Sequence, residues 1–196
     1  MKPLKIIFSL ALLFCTFFLM TGCSDDDAPE AENEEEEITE VILTFSPTTG
    51  GDPLVFSWVD PDGSGTQQPV IDPIVLNQNT AYTLTIELYG PNGEDFTEEI
   101  EEEADEHMFF FGWTGSLFTS PEGNGNISNR SGTVNYGTDL DSRGLPLGLS
   151  TTWATGEAAT GTFRIVLKHQ PGIKTANSTV NDGETDADNT WSVTIE

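Results

Sequence analysis

The chain has 196 residues, 33 acidic and 7 basic, with a formal charge of −26. A field of that sign repels nucleic acid and anionic lipid surfaces, and suits a soluble extracytoplasmic protein or one that gathers cations. The two cysteines, Cys15 and Cys23, both lie near the N-terminus, so the body of the chain offers no thiol for catalysis, metal ligation, a structural disulfide or a disulfide-linked partner.

In chain order, Met1 to Lys5 is a short basic segment and Ile6 to Met20 is almost wholly apolar. That run is shorter than the roughly 20 residues a membrane-spanning helix needs, and it predicts a signal peptide over residues 1–22. Met20-Thr21-Gly22-Cys23 resembles the lipobox of bacterial lipoproteins, with Met20 where leucine, valine or isoleucine is usual. The resemblance implies cleavage before Cys23 and acylation of its thiol, so the membrane is reached by a lipid anchor only; an ordinary secretory signal is the alternative. Such cleavage removes Lys2 and Lys5 and no acidic residue, leaving Arg130, Arg143, Arg164, Lys168 and Lys174 as the basic side chains of the mature chain.

Residues 23–37 follow as Cys23 and the acidic run SDDDAPEAENEEEE. Too few apolar groups are present to offset chain entropy, so a disordered, charge-stretched tether is expected. Cys23-Ser24-Asp25-Asp26-Asp27 also resembles the surface-export signal of Bacteroidota lipoproteins, which implies display on the outer face of the outer membrane; the periplasmic face is the alternative.

From Ile38 the pattern becomes alternation. Val41-Leu43-Phe45, Leu54-Phe56-Trp58, Tyr82-Leu84-Ile86-Leu88, Phe163-Ile165-Leu167 and Trp191-Val193-Ile195 each mark one face of a strand, with shorter candidates at Ile71 to Leu76 and Thr151 to Thr155. Clusters of Gly, Pro, Asn and Asp separate them. Residues 38–196 therefore predict one all-β domain, an antiparallel, Ig-like β-sandwich of about seven to nine strands with one short helix. That helix is expected over Phe96 to Asp105, with Asp95 and Glu98 as a capping pair and Phe96, Ile100, Ala104 and Met108 on one stripe. Ser120 to Ser131 reads as a long mobile loop.

The chain has two histidines. His107 opens the strand His107-Met108-Phe109-Phe110-Phe111, and His169 closes the strand from Phe163. If those strands are antiparallel neighbours, His107 faces His169, Phe109 faces Leu167 and Phe111 faces Ile165. A hairpin partner from Trp191 to Glu196 would bring the segment before it to the same edge. Glu103, Asp105, Glu106, Glu184, Asp186 and Asp188 could then ring the imidazoles, and two imidazoles with one or two carboxylates suit Zn²⁺, Cu²⁺ or Fe²⁺. Glu103 is four residues from His107, a spacing that a helix ending near Asp105 would spoil. The alternative is two strand-end histidines, solvated or bonded to backbone.

Asp60, Asp62 and Ser64, with Gly65, stand at positions 1, 3, 5 and 6 of a calcium-type loop, but position 12 is Ile71, and Pro-Asp-Gly is equally a β-turn signal. Asp139 to Gly144 echoes the loop with Arg143 at position 5, and reads as a turn. Phe109 to Trp113 reads as a strand buried on both faces rather than a ligand groove. There is no Gly-x-Ser-x-Gly, His-Glu-x-x-His, phosphate loop or dinucleotide fingerprint. A glycosidase-type carboxylate pair stays open among so many acids, yet the expectation is that the chain is not an enzyme.

Glu101 to His107, Lys168-His169-Gln170-Pro171 and Gly183-Glu184-Thr185-Asp186 together resemble a group of small acidic Bacteroidota lipoproteins commonly called "type 1 periplasmic binding fold superfamily protein". The resemblance implies an outer-membrane or surface lipoprotein, accessory to a receptor of TonB-dependent uptake. The chain lacks the length and alternating βα pattern of a true two-lobed type 1 binding protein. The reading that follows is a surface-anchored binding protein for a metal cation or small solute, with an interaction or adhesion module as the alternative.

Overall fold

The computed structural model describes residues 37–121, 127 and 134–196. The expected signal peptide over residues 1–22, Cys23, nearly all of the expected acidic tether and most of the Ser120 to Ser131 segment lie outside the described residues. The rest is a β-sandwich. In chain order the strands are β1 (Glu40–Pro47), β2 (Leu54–Val59), β3 (Val70–Ile71), β4 (Ile74–Leu76), β5 (Ala81–Tyr89), β6 (His107–Trp113), β7 (Phe118–Ser120), β8 (Ser150–Thr155), β9 (Ala159–His169) and β10 (Glu184–Ile195), with one helix, α1 (Thr97–Glu102), before β6. One sheet has the order β3-β2-β1-β5-β8-β7, the other β4-β10-β9-β6.

Alternation explains the layers. Val41, Leu43 and Phe45 of β1 and Tyr82, Leu84, Ile86 and Leu88 of β5 are buried, while their intervening neighbours are partly or fully exposed. They meet Phe163, Ile165, Leu167, Trp191, Val193 and Ile195 of the opposite sheet in one core. Its centre is aromatic: Phe163 lies edge-on to Trp153 at 5.0 Å and to Phe45 at 6.4 Å between ring centroids, so both sheets contribute to one cluster. Trp191 also donates its indole N–H across the sandwich to the Ser57 carbonyl at 3.4 Å.

Three details differ from the sequence reading. Ile71 to Leu76 is not one strand but two, β3 and β4, in different sheets. Pro73 has no N–H to continue a ladder, and Asp72 turns back onto β2, its carboxylate accepting the Ser57 N–H at 2.9 Å and hydroxyl at 2.8 Å. β4 then pairs with β10 in parallel, the exception in an otherwise antiparallel fold. The helix is shorter than expected. Phe96 stands at its N-cap without a side-chain bond, and the Asp95 carboxylate instead accepts the Thr97 N–H at 2.9 Å. Only Ile100 of the helix is buried, so little apolar surface holds further turns in place, and Met108 joins β6.

β6 is buried along its whole length although it is the last strand of its sheet. The segment before β8 covers that edge: Phe109 N–H donates to Leu147 O at 2.7 Å, and the Tyr136 hydroxyl donates to Phe109 O at 3.1 Å. Gly148 makes the approach feasible. Its φ is +105°, and a Cβ there would lie 2.8 Å from the Phe109 Cβ.

Candidate metal centre

The ladder between β6 and β9 carries the expected register: His107 faces His169, Phe109 faces Leu167 and Phe111 faces Ile165. The same alternation that sends Phe109 and Phe111 into the core sends His107 there too. The two imidazoles end the aromatic core at one rim, stacked with centroids 4.6 Å apart and planes inclined by 12°. Both residues are buried, His107 completely.

The turn between α1 and β6 is held at every carbonyl. Glu103 O accepts the N–H groups of Glu106 at 2.8 Å and His107 at 3.2 Å; Ala104 O accepts Lys174 Nζ at 2.6 Å; Asp105 O accepts Arg143 Nη2; and Glu106 O accepts the Gln170 N–H at 2.6 Å. Satisfying buried backbone acceptors in this way fixes the turn against two separate loops. It places Glu103 Oε2 at 4.0 Å from His107 Nδ1, even though the helix has ended. The expectation that an early helix end spoils this spacing is therefore corrected: the turn at 103–106 restores the proximity.

Two more carboxylates reach the histidines. Glu106 Oε2 lies 3.3 Å from His169 Nε2. Asp186 Oδ2 lies 3.8 Å from His107 Nε2, with its side chain only 1% exposed. Strict alternation along β10 would place Asp186 on the face opposite Ala187. A β-bulge between Thr185 and Ala187 breaks that alternation and re-aims the carboxylate inward. Glu103 and Glu106 remain 36% and 35% exposed, so the site meets water on their side.

Burial, reinforced by the neighbouring His169, pushes the His107 pKa down to about 4. At neutral pH its ring is therefore uncharged, and its contacts with Glu103 and Asp186 are not ion pairs. Neutral imidazole is the metal-ligating form. Glu103, His107 and His169 each offer a ligand atom, all within 4.8 Å of one another, and they form the one such group among the described residues. A tetrahedral ion about 2.0–2.1 Å from its ligands holds them about 3.3 Å apart, so binding requires the stacked rings to fan together.

Three of the expected carboxylates stand elsewhere. Asp188 is exposed and grips Arg164 with both oxygens on the outer face. Asp105 is exposed and lines a neighbouring acidic cleft with Glu101, Glu102 and Asp139. Glu184 is the register partner of His169 but is exposed at the start of β10. In the calcium-type loop, Asp62 Oδ2 accepts the N–H groups of Thr66 at 2.9 Å and Gln67 at 3.1 Å, and these bonds hold its carboxyl below the usual range. Asp60 Oδ1 faces the Asp62 N–H at 3.4 Å, and the Ser64 N–H donates to Glu37. The loop joins β2 to β3 as a hairpin connection.

The sequence reading missed the clamp behind the site. Lys174 has no side-chain exposure and lies 3.5 Å from the fully buried Asp141 carboxylate. Burial lowers the Lys174 pKa while Asp141 opposes that shift. Burial likewise works against ionised Asp141, but the N–H groups of Leu145 and Arg143 and the Arg143 guanidinium outweigh it and hold its carboxyl low. The available signal was scarcity: with so few cations among so many acids, each lysine or arginine in the domain is a candidate for a defined partner. No protein-family model matches the chain, and no curated protein or solved structure matches it either.

Proposed function

We propose that the chain is a lipid-anchored binding protein that takes up a divalent d-block cation, of the zinc, copper or iron class, at the His107 and His169 rim of its sandwich. The observation that carries this reading is the buried imidazole pair with Glu103 inside the same 4.8 Å group. A core position that needed only packing would be filled more cheaply by apolar side chains, because buried polar groups cost free energy unless they are satisfied. Imidazole nitrogen and carboxylate oxygen suit such cations better than calcium, which prefers six to eight oxygens. The half-exposed Glu103 and Glu106 supply an entrance, and the strongly acidic chain concentrates cations near it.

Cys23 within its lipobox-like context and the acidic run after it favour an outer-membrane lipoprotein displayed at the cell surface, delivering the ion to an outer-membrane receptor. A second reading, an interaction or adhesion module, draws on Val55, Val70, Ile71 and Val75, which are exposed on β2 to β4. Thermal unfolding separates the two. If the cation reading holds, zinc at a hundred times its Kd stabilises the chain by about 2.7 kcal/mol, and His169→Phe, which keeps a ring but loses its nitrogens, abolishes the shift. An unchanged melting temperature in the unmodified chain leaves the interaction module.

A further inference from the structure

Three protein donors do not complete the sphere of a zinc-like ion, which takes four ligands; sites with three protein ligands keep a position for water or substrate. Glu103, His107 and His169 are the donors that lie together, within 4.8 Å. Their exposure is uneven. The His107 ring is fully enclosed and the His169 ring nearly so, whereas Glu103 and Glu106 are about one-third exposed. An ion among the three is therefore walled by the rings on the core side and open to water between Glu103 and Glu106. Asp186 does not close that opening. It approaches His107 at Nε2, 3.8 Å away, while Glu103 Oε2 approaches at Nδ1, 4.0 Å away. The two ring nitrogens point in different directions, so an ion shared with Glu103 takes Nδ1 and replaces the 3.3 Å contact of that nitrogen with Glu103 O.

We propose, building on the cation reading, that Glu103, His107 and His169 hold the ion as an open centre whose remaining position, between Glu103 and Glu106, takes an exchangeable neutral donor. Water fills it at rest, and an imidazole of the acceptor protein enters it during transfer. Glu106 Oε2, 3.3 Å from His169 Nε2, is placed to accept that ring's N–H and orient it rather than to fill the position. Charge decides which donors enter. Glu103 and Glu106 alone balance a dication, and the flanking Glu101, Glu102 and Asp105 are all exposed. The nearby cations Arg143 and Lys174 are both paired with Asp141. An anion therefore approaches against the local field, and a neutral donor does not. The cargo is accordingly the hydrated cation rather than an anionic chelate, and it leaves by ligand exchange at the open position.

Cobalt(II), whose visible bands report ligand number and exchange, tests this on the unmodified chain. Imidazole titrated into the cobalt-loaded protein should shift those bands saturably, with the cobalt still bound. Azide, a small anionic donor, should need a concentration at least about tenfold higher for the same effect. Bands that do not respond to imidazole mean a closed coordination sphere and overturn the proposal, while the cation reading stands. Azide binding as tightly as imidazole overturns the selectivity for neutral donors, again without touching the cation reading. Glu103→Gln should weaken cobalt binding by at least the roughly 10–100-fold that loss of an outer-shell partner costs. An unchanged affinity in that variant removes Glu103 from the centre and overturns the arrangement. No binding of cobalt or zinc by the unmodified chain removes the cation reading, and this proposal with it.

Discussion

His107 and His169 are cross-strand partners whose rings stack 4.6 Å apart at the point where the aromatic core meets the acidic rim. That relationship follows from two simple facts of β geometry. Antiparallel register puts the start of β6 against the end of β9, and period-two alternation turns both rings inward.

Burial of His107 has a direct consequence for pH dependence. Its folded pKa is about 4, below the ordinary value of 6.5. Between those values the unfolded chain binds more protons than the folded one at this residue, so stability rises with pH and is lost as pH falls through the window. The contribution is on the order of 3 kcal/mol at neutral pH. Urea unfolding at pH 7.5, 6, 5 and 4.5 should show this decline, and His107→Phe should flatten it; an equal slope in the variant would contradict the assignment.

The clamp should be costly to break. Asp141→Ala leaves Lys174 buried beside the Ala104 carbonyl and strips a partner from the N–H groups of Arg143 and Leu145. Removing one member of a buried ion pair costs on the order of 3–5 kcal/mol. Denaturant titration of the variant measures the loss, and a change below about 1 kcal/mol, the ordinary range of a surface pair, would place the interaction among solvent-screened contacts.

Gly148 should tolerate no side chain. At φ +105° and with Phe109 Cβ only 2.8 Å from its virtual Cβ, Gly148→Ala adds backbone strain to overpacking. A destabilisation of about 1–3 kcal/mol is expected from the crowding alone. The same chain should lose protection of the Phe109 amide in hydrogen exchange, since that N–H bonds to Leu147 one residue before the glycine. Unchanged protection would show that the edge of β6 is not held by this segment.

Much of the fold was legible because its signal is local. Val41-Leu43-Phe45 and Phe163-Ile165-Leu167 announce their strands by alternation, and the register opposing His107 to His169 follows from where each histidine stands in its strand. The split at Asp72-Pro73 was not legible as a change of sheet, because local pattern cannot tell which sheet a short apolar run joins. Asp186 and Asp188 are indistinguishable in sequence, both acids two residues apart. Only the bulge, a long-range mismatch between β9 and β10, sends one to the histidine and leaves the other to Arg164. Likewise nothing near Lys174 in the chain names Asp141 or Ala104 as its partners.

Anchoring has its own test. Cys23→Ser should release the protein from the membrane fraction and abolish incorporation of radiolabelled palmitate. Continued labelling of the variant would contradict acylation at that residue.

Whether His107 and His169 share one cation site is a matter of stoichiometry. Isothermal titration with zinc addresses it most directly, using the unmodified chain, His107→Phe and His169→Phe. One ion per unmodified chain and loss of that binding in each single variant are expected, since neither imidazole suffices alone. Zinc bound equally well by either variant, with unchanged stoichiometry, would contradict a shared site.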